Sequence, residues 1–111
     1  MDHYKLNLKT SKKILRLLFL NGDQRLICDE FIYDQGLSSI AIIIEKSIEY
    51  FSTNLVVVSY ISDNQFSKTH RKEEASFSLQ LQKLAHPFNL NISDHIIVAN
   101  KQYYSLFKMV T

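Results

Sequence analysis

The chain has 111 residues, with 13 Lys and Arg against 11 Asp and Glu and a formal net charge of +2. That length supports a single core without staples, and so slight a positive excess excludes the concentrated basic stripe of a dedicated nucleic-acid binder. A 46% hydrophobic fraction with 2 glycines and 1 proline excludes a low-complexity chain. One cysteine excludes an internal disulfide. The longest apolar run, Ile40 to Ile44, is far short of a bilayer span. The start, Met1-Asp2-His3-Tyr4-Lys5, lacks the apolar stretch of a signal peptide, so a cytoplasmic location without membrane contact is expected.

Residues 1–13 read as a flexible lead-in that docks by Tyr4 and Leu6, and residues 14–111 as one domain with no internal repeat or linker. The run from Ile14 to Leu20, the pair Gly22-Asp23 and a second apolar run from Arg25 predict a hairpin. In its second strand Leu26, Cys28 and Glu30 alternate only partly with Ile27, Asp29 and Phe31, as in a sheet covered on both faces. Gly36 marks a turn, after which Ile40, Ile43, Ile44, Ile48 and Phe51 give the stripe of a helix laid on a sheet.

A buried strand from Leu55 to Val58 follows, then a polar loop from Ser62 to Thr69. A second helix is expected from near His70, capped by Thr69 and with Phe77, Leu81, Leu84 and Phe88 on its apolar face. Pro87 ends it. A last hairpin joins Ile92–Ala99 to Tyr103–Met109 through a tight turn at Asn100-Lys101.

Few residues carry chemistry by type and spacing alone. Cys28 reads as a small buried residue in a strand, with no cationic or histidine partner, and Ser59 has no identifiable base. The short basic runs Lys9, Lys12, Lys13, Arg16 and Lys68, His70, Arg71, Lys72 read as solvated faces. His70 and Glu74 are four apart on the second predicted helix and share a face. With Glu30 or His95 they form the one candidate three-ligand metal set; His3 and His86 have no useful spacing.

Four segments taken together carry a further signal: Leu18-Phe19-Leu20-Asn21, Arg25-Leu26-Ile27-Cys28-Asp29-Glu30, Asn54 to Ser62, and Asp94-His95-Ile96-Ile97-Val98. In that order and at those separations they resemble the JAB/MPN metalloprotease-like domain of the bacterial RadC family, over about residues 14–109. The resemblance implies an α/β fold, a mixed and mainly antiparallel sheet flanked by helices, akin to the cytidine-deaminase architecture. The helix-hairpin-helix region that commonly precedes this domain in the family is not expected here, and the segment between Gly36 and Leu55 reads as shorter than in the family.

The resemblance also assigns positions. Glu30 falls at the general base, Ser59 and Ile61 at the two zinc-binding histidines, and Glu74 at the aspartate ligand, while Ser62 and Asp63 replace a Pro and a Ser that shape the site. His95 is expected to tie its strand to its neighbours. A hydroxyl and a hydrocarbon do not replace two imidazoles. Without zinc the attacking water returns from a pKa of ~7 toward ~15.7, a loss on the order of 12 kcal/mol. The expectation is therefore a non-catalytic, metal-free RadC-like domain acting as a binding or scaffold module, with a protein partner or a second copy, or else a decayed gene remnant. Two alternatives stand beside it: a zinc-dependent peptidase or isopeptidase using Glu30, His70 and Glu74, and a DNA-repair-associated protein, for which the basic runs are thin support.

Overall fold

A computed structural model describes residues 13–61, 68–99 and 101–109. Five strands form one sheet: β1 (Ile14–Leu20), β2 (Leu26–Tyr33), β3 (Asn54–Tyr60), β4 (Asn91–Ala99) and β5 (Gln102–Ser105). They lie in the order β2-β1-β3-β4-β5. Only β3 and β4 run parallel; the other three pairs are antiparallel. The helices are α1 (Leu37–Glu49), α2 (Lys68–Ala85) with a 3-10 turn at His86–Phe88, and α3 (Leu106–Met109). This is the mixed, mainly antiparallel α/β sheet that the resemblance implies.

The first hairpin closes as expected, with Asn21 Oδ1 accepting from the amides of Asp23 and Arg25 at 2.8 and 3.0 Å. Its positive φ falls on Gln24 and not on Gly22. Gly36 opens α1 at φ 69 and ψ −135, a conformation that disfavours any side chain, while Asp34 Oδ1 accepts its amide at 2.8 Å. Pro87 sits in the first turn of the 3-10 segment, so α2 ends two residues before it.

The placement of the helices follows from topology. Both β2 and β3 run antiparallel to β1 and so parallel to each other. The connection β2-α1-β3 and the connection β3-α2-β4 therefore step across the sheet in the same direction. Right-handed crossovers that advance in one direction place their helices on one face. The core lies there: Leu15, Leu17 and Phe19 of β1 and Leu55 and Val57 of β3 meet Ile40 and Ile43 of α1 and Phe77, Leu81 and Ala85 of α2.

Among the described residues no helix packs on the other face, which corrects the expectation of a sheet covered on both sides. β2 is an edge strand, with Phe31 and Tyr33 60% and 49% exposed. Its inward residues Cys28 and Ile32 are half-buried against the core.

The helix stripes differ in detail from the periodic reading. α1 buries Ser39, Ile40, Ile43 and Ser47, so its contact line is rotated toward two serines small enough for close approach. Ile48 is exposed, and Phe51 is thrown outward by a left-handed φ of 54 just past the helix. α2 buries Glu74, Phe77, Ser78, Leu81 and Ala85, while Leu84 and Phe88 are about half exposed. Ile48, Leu84 and Phe88 instead line an outer groove of about 400 Å³ between the two helices. The final strand is also shorter than expected: β5 stops at Ser105, and Leu106 turns into α3 to bury its side chain. The lead-in residues Tyr4 and Leu6, and the loop residues Ser62 and Asp63, lie outside the described residues.

These assignments separate in a stability series. Ile43→Ala and Leu81→Ala are expected to cost ~2–5 kcal/mol each by urea unfolding, whereas Ile48→Ala and Leu84→Ala stay below ~1 kcal/mol. Equal losses at all four positions would show that the stripes are not divided in this way.

Candidate functional site

The site is built at one end of the central strands, under α2. Ser59 shares its side of β3 with Leu55 and Val57, because side chains alternate along a strand, and it is fully buried. On the neighbouring β4, His95 pairs in register with Val57 and faces the same way, also fully buried. Glu74 comes from above on the buried line of α2, one turn before Phe77 and Ser78, and is 2% exposed. Lys13, the residue before β1, has the parity of Leu15 and Leu17 and so turns toward the core.

These groups are in contact. Ser59 Oγ lies 2.9 Å from His95 Nε2, and His95 Nε2 lies 3.1 Å from Glu74 Oε1. The second oxygen, Glu74 Oε2, accepts from the ammonium of Lys13. That ammonium also meets Asp34 Oδ2 at 2.7 Å and sits 5.6 Å from the centre of the Phe77 ring. Phe77 in turn packs edge-on against His95 with ring centres 6.1 Å apart. A lysine from the start of the domain, an aspartate from the turn after β2, a glutamate from α2 and a histidine from β4 thus converge beside Ser59.

The proton order follows from the carboxylate. A bare Nε2 lone pair facing Glu74 at 3.1 Å would be repelled, so the ring carries its proton on Nε2. That N–H lies between two acceptors, Ser59 Oγ at 2.9 Å and Glu74 Oε1 at 3.1 Å. The Ser59 hydroxyl is then free to donate to Glu74. His95 Nδ1 is left as a buried lone pair without a partner among the described residues, a smaller cost than a stranded N–H. A histidine within 2.9 Å corrects the expectation that Ser59 has no candidate base. Both groups are sealed from solvent.

Burial alone would raise the Glu74 carboxyl, but hydrogen bonding from His95, the Lys13 charge beside it and the Ser59 hydroxyl outweigh this and hold it down at about 2. Burial works against the Lys13 ammonium as well, yet Glu74 and Asp34 together keep it above its ordinary value.

The other expected site residues are dispersed. Glu30, on β2, is tied to α1: Tyr50 Oη donates to its Oε2 at 2.8 Å and Lys46 Nζ lies 3.1 Å from the same oxygen. Partial burial disfavours the charged form, but Tyr50 and Lys46 prevail and lower its pKa. The ladder Glu30, Leu17, Val57, His95 crosses three strand spacings, ~14 Å, so Glu30 does not reach the His95 corner. Ile61 extends the pairing beyond β3 through its amide, 2.9 Å from Val98 O. His70 is half-buried one turn before Glu74 on α2. Among the described residues no three His, Cys, Asp or Glu side chains form a group able to hold a metal, so Glu30, His70 and Glu74 are not gathered. Nor do the donors gathered here suit zinc: Ser59 offers a neutral hydroxyl, the His95 Nε2 is engaged with Ser59 and Glu74, and the Glu74 carboxylate is paired with the Lys13 ammonium.

Lys13 and Asp34 were not legible as site residues. Lys13 reads as part of a solvated basic run with Arg16, yet the two point to opposite faces. Arg16 makes a bidentate pair with Asp29, at 2.9 and 2.6 Å, on the helix-free side. The signal available was parity, since residue 13 continues the inward positions 15, 17 and 19 of β1.

The sign of the pH dependence is set by Glu74. Its folded value of about 2 lies below the ordinary 4.5, so its contribution is complete above pH 4.5 and is lost as pH falls from there toward 2. The loss is on the order of 3 kcal/mol. Stability measured by urea unfolding at a series of pH values is expected to fall steeply through that window, and Glu74→Gln to flatten the fall. An equally steep profile in the variant would assign the acid sensitivity to other groups.

A family model described as the RadC-like JAB domain matches residues 1–110, reaching across the residues that read as a lead-in. Among curated proteins none matches the chain. The family match agrees with the five-stranded α/β architecture and the order of its elements. The chain belongs to the RadC-like JAB domain family.

Proposed function

We propose that this chain is a non-catalytic RadC-like JAB domain, a binding or scaffold module whose ligand corner is closed by a cation of the protein itself. The observation that carries the reading is Lys13, whose ammonium joins Glu74, the carboxylate at the family's acidic ligand position, to Asp34. A divalent ion placed about 4 Å from that ammonium would meet a repulsion on the order of 8 kcal/mol at an effective dielectric of ~20, before any ligand bond is counted. It would find Ser59 and Ile61 in place of two imidazoles to offset it.

The hydrolase alternative requires Glu30 beside the Glu74 carboxylate, and Glu30 faces Lys46 and Tyr50 instead. Mutual satisfaction also favours a working module over a gene remnant. Lys13, Asp34, Glu74, His95 and Ser59 come from five separate stretches of chain, and a buried carboxylate left without such partners is strongly destabilising.

Two measurements test the reading. Elemental analysis of protein prepared without a histidine tag should return far less than one zinc per chain, and a chelator should leave Tm unchanged; near-stoichiometric zinc would overturn the proposal. Rebuilding the ligands with Ser59→His, Ile61→His and Glu74→Asp should give zinc binding that strengthens at least tenfold when Lys13→Ala is added, read by competition with a chromogenic chelator. Equal affinity with and without Lys13 would mean that the ammonium is not what bars the cation.

A further inference from the structure

The sheet face opposite the helices is arranged by the pairing registers into rows that cross the strands. One row reads Tyr33, Ile14, Tyr60, Val98, Tyr103 from β2 to β5. It is a chemical palindrome, aromatic alternating with aliphatic from either edge. Its two end residues are 49% and 79% exposed. In the next row Phe31 is 60% exposed and packs its ring 6.3 Å from that of Tyr60. The row continues through Arg16 and Val58 to Ile96 and Ser105.

We propose that this face is a self-association surface, on which a second copy of the chain packs sheet to sheet about a two-fold axis running along β3. Such an axis sets β2 against the second copy's β5, β1 against its β4, and β3 against itself. A palindromic row meets that requirement, because an isologous contact must be complementary to itself. Tyr33 then faces Tyr103, Ile14 faces Val98, and Tyr60 faces its own counterpart. Two sheets meeting in this way form a sandwich with a spacing of ~10 Å, an established solution for bare sheet faces.

Charge fits the same arrangement. Asp29 is neutralised within its own chain by Arg16. Asp94 on β4 is the other acidic group of the face, bonded to the His95 amide and the Ser105 hydroxyl but without a cation among its hydrogen-bond partners. With β1 opposite β4, the Arg16 of each copy lies against the strand that carries the other copy's Asp94, about two residues or ~7 Å along it. The Arg16–Asp29 pair, neutral in itself, thus sits beside the second copy's Asp94, and no two like charges lie directly opposite.

The area is adequate. Four strands with three rows each and β5 with two, at ~4.8 Å between strands and ~7 Å between rows, give a footprint of roughly 470 Å² per copy. Two copies would bury on the order of 1,000 Å², the size at which specific association separates from chance contact. None of this depends on the reading of the buried corner.

Sedimentation equilibrium of the full chain, from micromolar to submillimolar concentration, decides the matter. The expected mass is twice the 13.0 kDa of the single chain. Ile96→Arg, near the centre of the face, and the rim pair Phe31→Arg with Tyr103→Arg should each weaken association at least tenfold, with circular dichroism unchanged. Leu79→Arg, on the outer side of α2, should leave the dimer intact. If Ile96→Arg unfolds the chain, the rim pair decides, because both of its residues are already more than half exposed. A monomer at submillimolar concentration overturns the inference, whether or not it binds some other molecule. So does a dimer that the rim pair leaves untouched.

Discussion

Because both crossover connections advance across the sheet in the same direction, the right-handed rule sends α1 and α2 to one face, and the rest of the molecule follows from that constraint. The covered face collects Leu15, Leu17, Phe19, Leu55 and Val57 against the helices. The uncovered face keeps its alternate residues, Ile14, Leu18, Val56 and Ile96 among them, partly or well exposed. A sheet wound in two opposed directions would have buried both sides and left no such surface. The two features of interest, a sealed polar corner and a bare apolar face, are thus the two sides of one topological choice.

Inside the corner the dominant effect is electrostatic. Burial raises the cost of every charge there, so Glu74 stays ionised only because Lys13, His95 and Ser59 surround it. Lys13 is held in turn by a second carboxylate, Asp34, and by the face of Phe77. Here the positive charge belongs to a side chain, the partly buried Lys13 ammonium held between Glu74 and Asp34. Glu30 serves to fasten β2 to α1 through Lys46 and Tyr50.

Most of the fold is legible in the sequence. The hairpin at Gly22-Asp23, the strand Leu55 to Val58, the stop at Pro87 and the family resemblance in the Asp94-His95-Ile96-Ile97-Val98 segment are local signals, carried by turn chemistry and by period. The errors share a cause. Ile48, Phe51, Leu84 and Phe88 satisfy helical periodicity but lie at the trailing ends of their helices, where the chain turns away from the sheet. Periodicity gives a stripe and says nothing about how far along it the sheet extends. Similarly, Tyr103 to Met109 has strand composition throughout, yet Leu106 finds burial only by turning into α3.

What the sequence determined by itself was the five strands and two main helices and their order, since local pattern suffices for these. What only the tertiary structure decided was which side chains meet. Lys13 and Glu74 are 61 positions apart, and Ser59 and His95 are 36 apart. No local rule connects them, because contact between distant residues is set by strand register and helix placement, and these are resolved only when the whole core packs at once.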